Sequence, residues 1–164
     1  MKHPAYIIGI DPDVDKSGVA LLEVATRNII AESMTFVQLT KYFYHIADSF
    51  QRDMVDIVVE ASWTTAHNFH SLPTDSKAVA AKKSYHVGCN HQVGKCICDM
   101  AMAHGLNVVE QPPLRKIWRG KDRKITHEEL IAITGMTAKR TNQEVRDAVL
   151  LAWHHSGLPI QLKF

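Results

Sequence analysis

Tyr6-Ile7-Ile8-Gly9-Ile10-Asp11-Pro12 reads as a buried strand that ends on an acid. The run is short, apolar and β-branched, and Pro12 stops it. Asp11 to Gly18 (Asp-Pro-Asp-Val-Asp-Lys-Ser-Gly) is turn chemistry, and Val19-Ala20-Leu21-Leu22-Glu23-Val24 follows as a second strand. Arg27-Asn28 suits a hairpin turn into a third strand over 29–36. Short connections of this kind predict a three-stranded antiparallel meander.

Beyond the meander, Leu39, Phe43, Ile46, Ala47 and Phe50 recur at spacings of three and four, which predicts a helix over 38–52. Asp56-Ile57-Val58-Val59-Glu60 is a compact central strand, again ending on an acid. A polar stretch over 61–85 follows, with room for helical pieces and of the length and composition that functional loops have. A helix is expected over 86–104 with Gly105 as its cap, then a strand over 106–110 halted by Pro112-Pro113. Thr126 and Glu129 fit a capping box at the start of a further helix. The last helix, over 142–155, opens on a similar Thr141…Glu144 pair. The order βββ-α-β-α-β-α-α makes a mixed α/β fold, and no repeat or linker divides residues 1–164 into more than one domain.

Composition agrees with that size: 164 residues at 46% hydrophobic content can fill one core. No apolar stretch approaches the roughly 20 residues that span a bilayer, so no membrane partner is expected. Met1-Lys2-His3-Pro4 leads into the first strand without the hydrophobic region of a signal peptide. Three cysteines, an odd number, argue for a reducing cytoplasm. The net charge of +2 conceals an asymmetry, since residues 1–60 hold 5 Lys/Arg against 9 Asp/Glu and residues 61–164 hold 14 against 8. Such a balance is compatible with a polyanionic partner and equally with ordinary surface charge.

The acids carry the functional reading. Asp11 and Glu60 end two apolar strands, where α/β folds collect their sites. Glu144 and Asp147 are three apart, so on a helix they share a face. Packing the Val145/Ala148/Val149/Ala152 side of that helix on the sheet would bring all four together. Clustered carboxylates repel one another unless Mg²⁺ or Mn²⁺ intervenes, and paired metals about 4 Å apart suit phosphodiester hydrolysis. Taken singly, each acid has an ordinary explanation: Asp11 a turn residue, Glu60 a solvated strand end, Glu144 the capping partner of Thr141, Asp147 a surface partner of Arg140.

Ile8-Gly9-Ile10-Asp11-Pro12 resembles the opening of the RuvC Holliday-junction resolvases, members of the ribonuclease H-like superfamily. Val58-Val59-Glu60-Ala61 resembles their second acidic strand, and Glu144-Val145-Arg146-Asp147-Ala148 their closing acid-x-x-Asp-Ala helix. The resemblance implies a ribonuclease H-like mixed sheet flanked by helices. It also implies a structure-selective endodeoxyribonuclease of DNA recombination and repair, cutting four-way junctions to 5′-phosphate and 3′-hydroxyl ends. Asp11 would bridge two Mg²⁺ ions, with Mn²⁺ as substitute; Glu60 and Asp147 would complete their shells, and Glu144 would hold the variable fourth place. A two-fold homodimer and a branch-migration helicase partner are further implications. Trp63 falls where the family places a base-stacking aromatic, a core anchor being the alternative, and Phe69 is the reserve. This chain departs from the pattern at Asp13, where the family usually has Gly, and in a longer 64–86 stretch. Other branched DNA or RNA–DNA hybrids, or junction binding without cutting, are the competing functions.

Basic residues supply the remaining candidates. Arg115, Lys116, Arg119, Lys121, Arg123 and Lys124 crowd one loop with a single acid, Asp122. Lys77, Lys82 and Lys83 form a second group. On the rim of the site they would neutralise phosphates, and Lys121 and Lys124 best match lysines that approach DNA in the family; a solvated charged loop is the plain alternative. Cys89, His91, Cys96 and Cys98 lack the spacing of a zinc site on a helix. The 86–104 helix, through Val93, Ile97, Met100, Ala101 and His104, would serve either a dimer interface or its own sheet.

Overall fold

The computed structural model describes residues 4–65, 74–138 and 140–160. Five strands form its sheet: β1 (Tyr6–Asp11), β2 (Ser17–Glu23), β3 (Asn28–Met34), β4 (Val55–Glu60) and β5 (Asn107–Gln111), in the order β3-β2-β1-β4-β5. The first three run as the expected antiparallel meander. β4 lies parallel to β1 and β5 parallel to β4, which requires crossovers. Helices α1 (Phe36–Ser49) and α2 (Lys77–Ala103) fill them, and α3 (His127–Thr134) and α4 (Gln143–His155) close the chain.

Two helix starts differ from expectation for local reasons. Thr35 caps α1 in a reciprocal box with Gln38, which ends the third strand at Met34 and starts the helix early. α2 begins at Lys77 rather than near 86, because Ser76 accepts the Val79 N–H and starts it. Its opening turns are mostly exposed and show no apolar face, so periodicity could not reveal them.

Strand parity sorts the core. Ile8, Ile10, Ile57 and Val59 point to one face, against Leu39, Phe43 and Ile46 of α1 and Ile97 and Ala101 of α2. Ile7, Leu22 and Val58 point to the other, against Ala152 and Trp153 of α4. Each fully buried aliphatic of this kind contributes about 1.5–3 kcal/mol. The α2 face offered for a dimer is used internally: Val93, Ile97, Met100 and Ala101 all pack on the α1/α2 core.

Glycine sets how closely α4 rides on the sheet. A Cβ on Gly9 would strike the Ala148 carbonyl and stand 2.8 Å from Ala152 N. A Cβ on Gly18 would strike the Glu144 carbonyl and stand 2.7 Å from Val145 N. Both positions need a residue without a side chain. At the far end of the sheet, Asp56 accepts from Asn107 Nδ2 at 2.7 Å and pairs with His155 Nε2 at 2.9 Å, tying β4, β5 and the end of α4 together.

Candidate active site

The strand register builds a row of residues at one end of the sheet. Asp11 pairs with Gly18 on one side; on the other, the Ile10–Val59 pair puts Glu60 next to it, and Glu60 pairs with Gln111. Asp11 shares its face with Gly9, and Glu60 with Val58, so both acids face α4. The first turn of α4 crosses this end above Gly18, bringing Glu144 and, one turn later, Asp147 to the same place.

The negative charges of these groups act on one another. The Asp11 carboxyl is held well above the usual carboxylate range, first by burial, then by the charges of Glu60 and Asp147, and also of Glu144, with Lys124 opposing. Burial and Asp147 raise Glu60, against the pull of Lys116 and Lys124. Burial raises Asp147, opposed by a hydrogen bond from Gln143 and by Lys124, Lys116 and Arg146. Asp11 therefore lies in the field of Glu60, Asp147 and Glu144, and Glu60 in that of Asp147.

The cap expected at Thr141 is corrected. Asn142 is the N-cap of α4, its Oδ1 accepting the Val145 N–H at 2.9 Å. Thr141 Oγ1 is instead engaged with His127 Nδ1 at 2.9 Å. Glu144 is thus released from capping. Asp147 takes Gln143, not Arg140, as its hydrogen-bond partner.

The donor set fits a hard divalent cation. All four groups are carboxylates, with no thiolate or imidazole among them, and the raised proton affinities of Asp11, Glu60 and Asp147 are what a double positive charge would relieve. Among the described residues, no three His, Cys, Asp or Glu side chains are closed tightly enough to hold a metal ion as they stand. The acids share a field, not a finished coordination shell.

Around the acids, the rim is firmly constructed. Trp63 is half-buried, donates its indole N–H to Glu110 Oε2 at 3.2 Å, and lies edge-on to His91 with centroids 6.4 Å apart. Its ring and Pro12 both rest on Gly94 of α2, where a Cβ would stand 3.0 Å from Trp63 Cη2 and 3.2 Å from Pro12 Cγ. Trp63 packs against the α1/α2 core as an anchor at the edge of the site. Asp13, at the position that departs from the family pattern, accepts from Asn90 Nδ2 at 3.3 Å, and Val14 N donates back to Asn90 Oδ1 at 3.1 Å. This exchange pins the loop after Asp11 to α2.

The basic loop is likewise built. Buried Glu129 accepts from Arg119 N at 3.1 Å and from Thr126 N at 3.0 Å, while Trp118 N bonds Arg123 O and Gly120 N bonds Lys124 O. Asp122 and Arg123 adopt positive φ, 54° and 60°, in the intervening turn. The loop presents half-buried Lys124 and exposed Lys116 to the acids, while Arg115 and Lys121 are exposed. In the second group Lys82 is exposed, but Lys83 is joined to Asp75 at 2.7 Å and clamps the start of α2. Phe69 lies outside the described residues. Sequence reasoning missed Gln143, Arg146 and Asn90; Glu129 was expected as the capping-box partner of Thr126, which the structure bears out, but its hold on Arg119 N was not foreseen.

No family model and no curated protein sequence matches the chain. Among solved structures it is similar to RuvC of Thermus thermophilus, at 14% identity over 93% of this chain and 97% of that one, with a TM-score of 0.51. It also matches T. thermophilus RuvC in complex with a Holliday junction substrate, at 14% identity, 90% and 89% coverage and a TM-score of 0.49. A further match is the large terminase nuclease of thermophilic phage G20c, at 16% identity, 91% and 81% coverage and a TM-score of 0.34. At these identities the T. thermophilus RuvC structure speaks for the fold, and the chain has a ribonuclease H-like fold, a mixed five-stranded sheet flanked by helices.

Proposed function

We propose that this chain is a divalent-metal-dependent endodeoxyribonuclease that hydrolyses phosphodiester bonds of branched DNA, with the four-way (Holliday) junction as substrate. The observation that carries this reading is the coupling of Asp11, Glu60 and Asp147, with Glu144 beside them, at a sheet end that also feels Lys116 and Lys124. The resemblance of the three acidic motifs to those of RuvC, in a chain with the RuvC fold, supports the same substrate. Asp11, Glu60, Asp147 and Glu144 would hold Mg²⁺, or Mn²⁺ in its place. When bound, such ions lower the pKa of a water and stabilise the leaving oxygen of a phosphodiester. Lys116 and Lys124 offset part of the clustered negative charge, and with Arg115, Lys121 and Lys82 they would neutralise backbone phosphates without reading bases. Trp63, held from behind by Gly94 and Glu110, offers a fixed aromatic edge to a base at the rim. A junction presents two strands to be cut symmetrically, so the proposed working form is a two-fold homodimer with residues 1–164 as one nuclease domain.

The test is incubation of the purified chain with synthetic four-way junctions, flaps and RNA–DNA hybrids in Mg²⁺ or EDTA. Junctions should be cut in Mg²⁺ alone, and Asp11→Asn should bind them without cutting. Undiminished cutting by Asp11→Asn would overturn the assignment, and preference for hybrids would replace the substrate.

A further inference from the structure

Asp147 meets the other acids with one of its oxygens already engaged. Gln143, one turn earlier on α4, donates Nε2 to Asp147 Oδ1 at 2.8 Å, and its Oε1 accepts from Arg146 Nη2 at 2.8 Å. A guanidinium has only donors, so the amide oxygen must face Arg146 and the amide NH₂ must face Asp147. Arg146 is fixed in turn, since Nε donates to the Ile125 carbonyl at 3.0 Å and Nη1 to the Thr141 carbonyl. All three side chains are half-buried. An arginine placed directly on Asp147 would compete with a cation for the carboxylate. An interposed amide gives direction to the carboxylate without contributing a full charge.

We infer that Gln143 and Arg146 are positioning residues, a relay from the backbone ahead of α3 to Asp147 that fixes the carboxylate and leaves Oδ2 for a cation. The inference rests on the nuclease reading above, because it takes Asp147 as a cation ligand. Partners that orient a ligand in this way typically change metal affinity by about 10–100-fold when lost.

The experiment measures Mn²⁺ binding to the full chain by calorimetry without DNA, beside the thermal midpoint of each variant. Gln143→Leu should weaken Mn²⁺ binding about 10–100-fold while keeping a near-native midpoint. Arg146→Lys, which keeps the charge and loses the fork, should act in the same direction. The double variant should bind no worse than Gln143→Leu alone, since both break one relay. Should Gln143→Leu fail to fold, Gln143→Met removes the same donor. Native affinity in the Gln143 variants, or losses that simply add, would overturn the relay. Asp147→Asn separates the two readings: unchanged Mn²⁺ binding there overturns the ligand assignment and the relay with it, whereas lost binding with native affinity in Gln143→Leu overturns the relay alone.

Discussion

Replacing Gly18 with alanine tests how the site is built without touching any acid. The new methyl would strike the Glu144 carbonyl and stand 2.7 Å from Val145 N. Restoring an ordinary 3.4 Å separation from that nitrogen moves the start of α4 by about 0.7 Å, and relieving the carbonyl demands more. The clash is backbone on backbone, so no side-chain rotation relieves it. Overpacking of this kind costs about 1–3 kcal/mol, and at this chain length each kcal/mol lowers the midpoint by about 2–4 °C. The same movement carries Glu144 and Asp147 away from Asp11 and Glu60, and misplacement of about 1 Å costs on the order of 10²-fold in rate. Thermal denaturation and Mg²⁺-dependent cutting of a four-way junction, read in one buffer, measure both effects. Gly88→Ala is the control: nothing lies within 4 Å of its Cβ, so the exchange should gain about 0.5–1 kcal/mol of helix stability and leave cutting unchanged. A Gly18→Ala chain with native midpoint and native cutting would refute the claim that this close approach places Glu144.

Further outcomes follow from the charges. Because Asp11, Glu60 and Asp147 have raised pKa values, the folded chain holds protons that the unfolded chain has released. Metal-free stability should therefore fall as pH rises from the ordinary carboxylate range of about 4 through the raised folded values. Asp11→Asn should remove part of that slope and raise the metal-free midpoint at neutral pH; a lower midpoint there would contradict the repulsion. Lys124→Ala, measured on a non-cutting Asp11→Asn background, should flatten the log–log salt dependence of junction binding by about 0.9, and an unchanged slope would remove Lys124 from the interface. Glu129→Ala removes the buried carboxylate that accepts from Arg119 N and Thr126 N and should cost about 1–3 kcal/mol in urea unfolding; a native value would show the basic loop to be held by other contacts.

What could be read beforehand was local. Asp11 and Glu60 were legible because each ends an apolar run, and parity then carries both to one face. Glu144 and Asp147 were legible through their helical spacing. The meeting of the two pairs hangs on Gly9 and Gly18, whose sequence context gives no hint that α4 lies against their backbone. Thr141 and Asn142 can both cap a helix, and the choice is made by remote partners: His127 engages Thr141, while Asn142 Nδ2 donates to Ser33 Oγ at 2.8 Å. The aromatic at 63 could be picked out, but its anchoring depends on Gly94, far along the chain. Lys83 looked equivalent to Lys82 until Asp75 claimed it.

The parity of β1 has a consequence for how this chain can vary. Removing or inserting a single residue between Ile7 and Asp11 would rotate the acid to the opposite side of the sheet, towards Leu39 and Phe43, and expose an isoleucine to the helix acids in exchange. Half-steps do not exist along a strand, so β1 and β4 tolerate substitution far better than any change of length. Length variation is confined to the connecting loops, and an engineered version of this chain should keep its two acidic strands at fixed residue counts while freely lengthening its turns.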